Sequence, residues 1–202
     1  MKTEITRDDI MGMDTYAAVR AERRRAMAAA KRHRRVEVGP FATFYFESYA
    51  TMLHQVHEML FIEKGGEAQV EDELRAYNPL IPKGDELVAT VMFEIDDKAR
   101  RDAILRRLGG IERHILLTVG GERVEVRPEE DVDRTSAAGK ASAVQFVHFQ
   151  LSPAQVAAFR KPGVQVVLGF DHPDYGHMAV VPDAVRAALA EDFAPDAADA
   201  AA

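Results

Sequence analysis

The sequence predicts an α+β fold: a mostly antiparallel sheet with flanking helices and a long basic N-terminal helix. Three observations carry this. Two β-rich runs, HILLTV and ERVEV, are separated by Gly120–Gly121, the composition of a two-residue hairpin. Strand-like and helix-like segments are interleaved without the regular alternation of a parallel βαβ fold. The run ELVATVMFEI (86–95) is apolar on both faces, with Leu87, Ala89, Val91, Phe93 and Ile95 on one and Val88 and Met92 on the other. Helices are therefore expected against both sides of the sheet, at least in part.

The elements follow in order. Thr6 with Asp8 and Asp9 reads as the N-cap and acidic first turn of a helix running to about Arg34. VEVGPFATFYFES (36–48) is β-rich, with Gly39–Pro40 marking a bulge or a strand start. Helical periodicity covers about 50–64 until KGGE breaks it, and a second helix over about 67–77 ends at YNPLIP, where the prolines forbid continuation. The strand at 86–95 leads into a helix over 96–110 closed by glycine, then the Gly120–Gly121 hairpin. EEDVDRTSAAGKAS (129–142) reads as a mobile polar loop, followed by a strand over 143–151, a short helix from Pro153 and a strand over 164–170. DHPDYGH (171–177) reads as a turn before a last helix over about 183–192. With no repeat and no linker, residues 1–192 read as one domain and 193–202 as a disordered tail.

The chain has 202 residues, 47% hydrophobic and 29% charged, enough apolar content for a substantial core. No apolar run approaches the roughly 18–20 residues of a membrane-spanning helix. MKTEITRDDI lacks the apolar stretch of a secretory signal, so a cytoplasmic protein without membrane association is expected. There is no cysteine. Disulfides, thiolate metal sites, iron–sulfur ligation by this chain and Cys nucleophiles are thereby excluded. If a cofactor is bound, His, Asp and Glu would favour a non-haem ion: iron, manganese or zinc. Neither a phosphate-binding GxxxxGK[ST] loop, a GxGxxG turn nor a GxSxG elbow is present.

The net charge of −7 is unevenly spread, since RAERRRAMAAAKRHRR (20–35) holds eight basic side chains and one acid. Arg23, Arg24, Arg25, Arg32, Arg34 and Arg35 form a candidate docking surface for an acidic protein partner. The acidic remainder of the chain would repel nucleic acid. A solvated helix face paired with that acidic body accounts for the same residues.

TMLHQVHEMLFIE (51–63) places two histidines and two glutamates in an oily run. On a helix, Leu53, Val56 and Leu60 form a core line, and His57, Phe61, His54 and Glu58 share an adjacent arc. His54, His57 and Glu58 therefore have spacing compatible with joint metal ligation, with His148 and His172 as further ligand candidates. Glu63 falls within the apolar line, so Glu58 and Glu63 are expected to project into protein and to need partners. Glu73 on the next helix and Glu94 on the strand extend this into a candidate polar pocket.

The phrases FATFYFES, QVHEML, DELRAYNPLIP, ELVATVMFEID, KASAVQFVHF and GFDHPDYGHM resemble the bacterial family catalogued as domain of unknown function 3501, over about residues 4–190. The resemblance picks out Gln55, Glu58, Glu63, Glu73, Tyr77, Asn78, His148, His172 and Tyr175, and so adds Gln55, Tyr77 and Asn78 to the candidate polar pocket. It differs at His54 and His57, which favours a carboxylate pocket over a two-histidine metal site. The family has no assigned activity, and the resemblance implies only a redox setting, that of rubrerythrin-like proteins and iron–sulfur oxidoreductases. Two readings stand: a non-catalytic interaction or accessory protein serving such a system, and a non-haem metal-binding or metal-dependent redox enzyme.

Overall fold

The computed structural model of the chain describes residues 2–129 and 139–195. Most of the polar loop and the last seven residues of the tail lie outside them. In chain order come α1 (Met13–Lys31), β1 (Arg35–Val38), β2 (Ala42–Phe46), α2 (Tyr49–Glu63), α3 (Gly66–Tyr77), β3 (Glu86–Phe93) and α4 (Lys98–Arg107). Then follow β4 (Ile115–Val119), β5 (Glu122–Arg123), β6 (Glu125–Pro128), β7 (Val144–Gln150), α5 (Pro153–Arg160), β8 (Val166–His172), β9 (Tyr175–Val180) and α6 (Asp183–Ala190).

The α+β class holds, but the strands form two antiparallel sheets, ordered β1-β2-β3-β7-β6 and β5-β4-β8-β9. The hairpin at Gly120–Gly121 joins β4 to β5, and both glycines have positive φ (59° and 88°), as its tight turn requires. Its second arm is then divided. Val124, buried between β5 and β6, marks where the chain leaves one sheet for the other. DHPDYGH is more than a turn: it is the tip of the β8–β9 hairpin, with His172 opposite Tyr175.

The second sheet explains the two apolar faces of β3. Leu87, Ala89, Val91 and Phe93 pack with Leu117, Leu168 and Phe170 in a core between the sheets, and the Phe93 and Phe170 rings lie 5.9 Å apart. Val88, on the other face, packs with Met52, Val56, Leu60 and Val70 of α2 and α3. Helices thus cover one face of this strand and a sheet covers the other, instead of helices on both. Each such large apolar side chain contributes about 1.5–3 kcal/mol on full burial. The buried Tyr175 hydroxyl ties the edges together, donating to the Val38 carbonyl (2.8 Å) and accepting from the Phe41 and Ala42 amides (3.0 Å each).

At the N-terminus, Thr6 caps only a short 3-10 turn, and the helix begins at Met13. The reason is tertiary. Ile5 is buried and held through both backbone groups by Asn78, and the Met11 amide is bound by His57, so this stretch is laid against α2 and α3. Ordered chain also continues past 192. Phe193 is buried edge-on to Phe159 (5.4 Å), and the Ala194 amide donates to Gly84.

Candidate functional site

Helix α2 starts at Ser48, whose Oγ accepts from the Thr51 amide (3.3 Å). Its polar stripe meets three different fates. In the C-terminal half, His57 is fully buried and stacked on Tyr16, with centroids 4.8 Å apart. The Met11 N–H donates to its Nε2 (3.0 Å), so the proton sits on Nδ1, which donates to the Leu53 carbonyl (2.7 Å). Burial pulls its pKa below the ordinary value and keeps the ring neutral. Both nitrogens are used, leaving no lone pair for a metal. Beside it, Arg20 grips both Glu58 oxygens (2.8 and 2.9 Å), and the Tyr16 hydroxyl donates to one of them (2.7 Å). Arg20 above all holds the Glu58 carboxyl down to about 2. Burial, together with Glu58, pushes the Tyr16 phenol up to about 12. Glu58 does project into protein, and α1 supplies its cation.

Glu63 does not. As the last residue of α2 it is exposed, because the helix stops there with Lys64 in a left-handed conformation (φ 56°). Its carboxylate accepts from Gln69 Nε2 (2.8 Å), which also donates to the buried Glu73 (2.7 Å). Asn78 leaves the predicted pocket too, since its amide is the clamp on Ile5.

The metal candidates are not gathered. His148 lies between two carboxylates, with Nδ1 at 2.8 Å from Glu86 and Nε2 at 3.2 Å from Glu129. Nδ1 of the buried His172 accepts from the Asp174 amide (3.1 Å), and its ring meets His114 edge-on. His54 is half-buried on α2. Among the described residues no group of three or more His, Asp or Glu side chains is arranged to hold an ion.

The arginines divide as well. Arg34 is buried and is no docking residue: it donates to the Phe46 (3.1 Å) and Glu47 (2.8 Å) carbonyls and pairs with Asp192. Arg24, Arg25, Arg32 and Arg35 are exposed, and Arg23 partly so. Arg35 pairs with Glu37 at the surface, and Arg24 reaches Glu58 only at 4.0 Å.

The N-terminal half of α2 opens a cavity of about 290 Å³ over the helix-covered face of the first sheet. Of the predicted pocket residues it holds Gln55 and Tyr77, set against each other. Burial raises the Tyr77 phenol, Gln55 opposes this, and the charges of Glu73, Glu63 and Glu47 add to the rise. Glu94 stands outside this lining, accepting from Thr43 (2.7 Å) and from Tyr45 (2.9 Å), itself a lining residue. The sequence reading missed Glu47 and Lys31, the two charged residues of the lining. Only the placement of an acid between a β run and the N-cap Ser48 hinted at the first.

Fold and site together define a two-sheet α+β protein with a mainly apolar cavity under α2, lined by one acid and one lysine, and a helix bearing exposed arginines beside it. The chain belongs to the family described as protein of unknown function (DUF3501), whose model matches residues 4–193. It is similar to a novel protein of unknown function from Burkholderia pseudomallei K96243, known from a crystal structure at 1.90 Å resolution. The two are 38% identical, with a TM-score of 0.86 over 94% of this chain and 99% of that chain. No curated protein matches. Among the described residues no helix is long and apolar enough to cross a membrane.

Proposed function

We propose that the protein is a non-catalytic interaction module, an accessory protein whose helix α1 docks an acidic partner protein. One observation carries this reading: Arg23, Arg25 and Arg32 make no ion pair among the described residues, although the chain as a whole is acidic. Helix α1 buries only Tyr16, so most of its surface faces outward. Unanswered cations on a rigid helix steer an acidic surface into register and contribute chiefly to association rate and specificity. The docking surface is Arg23, Arg24, Arg25, Arg32 and Arg35, without Arg34. A redox protein is the partner class that the family resemblance suggests.

The test is co-purification from native extract at low ionic strength, comparing wild type with an Arg25→Glu, Arg32→Glu variant. Exposed charges contribute little to folding, so the variant is expected to melt like wild type. A partner retained by wild type, released by salt and lost from the variant supports the reading. An identical set of retained proteins rejects it.

A further inference from the structure

Glu47 is 5% exposed, and its two carboxylate oxygens are met only by hydroxyls. Thr51 Oγ1 donates to one at 2.6 Å and Thr90 Oγ1 to the other at 2.7 Å. Buried carboxylates ordinarily carry a counter-charge. Here none lies within ion-pair distance among the described residues. Lys31, the last residue of α1, lines the same cavity, and its ammonium makes no hydrogen bond or ion pair among the described residues. Two opposite charges thus share one small cavity without touching. That arrangement leaves a carboxylate and an ammonium available to a third body bearing the complementary pair.

The remaining walls limit what that body is. Met52, Leu80, Met92 and Phe146 are apolar, and Gln55 and Tyr77 add hydrogen-bonding groups. A volume of about 290 Å³ falls just below the range of about 300 to 1,000 Å³ usual for ligand sites, so the occupant is small. We infer that the cavity is a binding site for a small zwitterion with an apolar body, a free α-amino acid. Its ammonium pairs with Glu47, its carboxylate with Lys31, and its side chain lies on the methionines and Phe146. A simple amine would set a second cation beside Lys31, and a simple carboxylate would leave Glu47 unanswered. Methionine walls adapt their shape, so selection falls on the apolar class more than on one side chain.

The inference is independent of the docking role of α1 and is tested on the full chain by isothermal titration calorimetry. The probes are L-valine, L-leucine, L-methionine and L-phenylalanine, with isopentylamine and 4-methylpentanoate as leucine lacking its carboxylate or its ammonium. At least one amino acid is expected to bind saturably, one per chain, and each truncated probe about tenfold or more weaker than leucine, as loss of a charge-assisted contact implies. Glu47→Gln and Lys31→Met are expected to weaken binding similarly. Val144→Arg, at a lining position 38% exposed, is expected to abolish binding with the melting temperature unchanged, and so decides the matter if Glu47→Gln fails to fold. The inference is overturned if no amino acid of the panel binds, if isopentylamine binds as tightly as leucine, or if Val144→Arg or a folded Glu47→Gln retains wild-type affinity.

Discussion

The two ends of α2 border polar clusters that put similar residues to opposite uses. In the seam with α1, His57, Tyr16, Arg20 and Glu58 answer one another, with each charge paired and both imidazole nitrogens bonded. In the cavity at the N-terminal half, a carboxylate rests on two neutral hydroxyls while a lysine lines the same space without meeting it. A polar cluster that closes on itself builds structure. One left open is available to a ligand. Residue type does not separate the two, because both read as Glu and His or Lys in an apolar setting; the partners do.

The largest expected effect lies at a third cluster, which closes as the seam does. Arg34→Ala leaves Asp192 buried without its cation and removes the contact that fixes the Glu47 backbone. Breaking a buried pair costs about 3–5 kcal/mol. For a chain of this size that lowers the melting temperature by roughly 10 °C or more. A drop of only a degree or two would return Arg34 to the docking surface and blur the division between closed and open clusters.

Within the seam, Arg20→Ala strands Glu58 and is expected to lower the melting temperature by several degrees, less than Arg34→Ala does. A melt superimposable on wild type would mean the seam is not the closed structural unit described.

Charge state offers a finer comparison. The Glu58 carboxyl is depressed by Arg20, so its stabilisation is present above its ordinary 4.5 and lost as pH falls towards about 2. His57 acts in the same direction: its pKa is lowered by burial, and protonation begins to penalise the fold below its ordinary 6.5. His148 has the opposite sign. Burial works against its charge, but Glu86 and Glu129 outweigh it and raise the pKa above 6.5. Its stabilisation is complete below 6.5 and lost as pH rises through the raised value. In urea titrations, the stability gap between wild type and His148→Gln is therefore expected to be wider near about pH 6 than near about pH 9. A gap that widens with pH would contradict the assignment.

The smallest expected effect is at Glu63. Exposed at the end of α2, its replacement by alanine is expected to change stability by no more than about 0.5 kcal/mol. A fall as large as that for Arg20→Ala would place it back inside the protein.

What was legible in the sequence was local. Gly120–Gly121 fixes its hairpin because adjacent glycines permit the turn without help from elsewhere. Helix α2 was found by periodicity, and Glu58 was placed inside because its angular position is a property of the helix alone. The same geometry misplaced Glu63, since an angle on a helical wheel means nothing once the helix has ended. Strand β9 was missed because its sequence contains Gly176 and His177 and acquires strand geometry by pairing with β8. Glu47 escaped notice because its burial depends on Thr90, 43 residues away, and on Arg34 holding its carbonyl. Arg34 itself looks like its exposed neighbours until Asp192, 158 residues distant, is brought beside it.

The most direct test of the contrast needs no ligand: calorimetric melts of Glu58→Gln and Glu47→Gln side by side at neutral pH. Glu58→Gln deprives Arg20 of its counter-charge and is expected to melt roughly 5 °C or more below wild type. Glu47→Gln removes a buried charge that no cation answers while keeping a group able to bond both hydroxyls, so it is expected to melt at or above wild type, as at sites where stability is given up for binding. A fall for Glu47→Gln as deep as that for Glu58→Gln would make Glu47 a structural counter-ion and contradict the account of an open, receptive cavity.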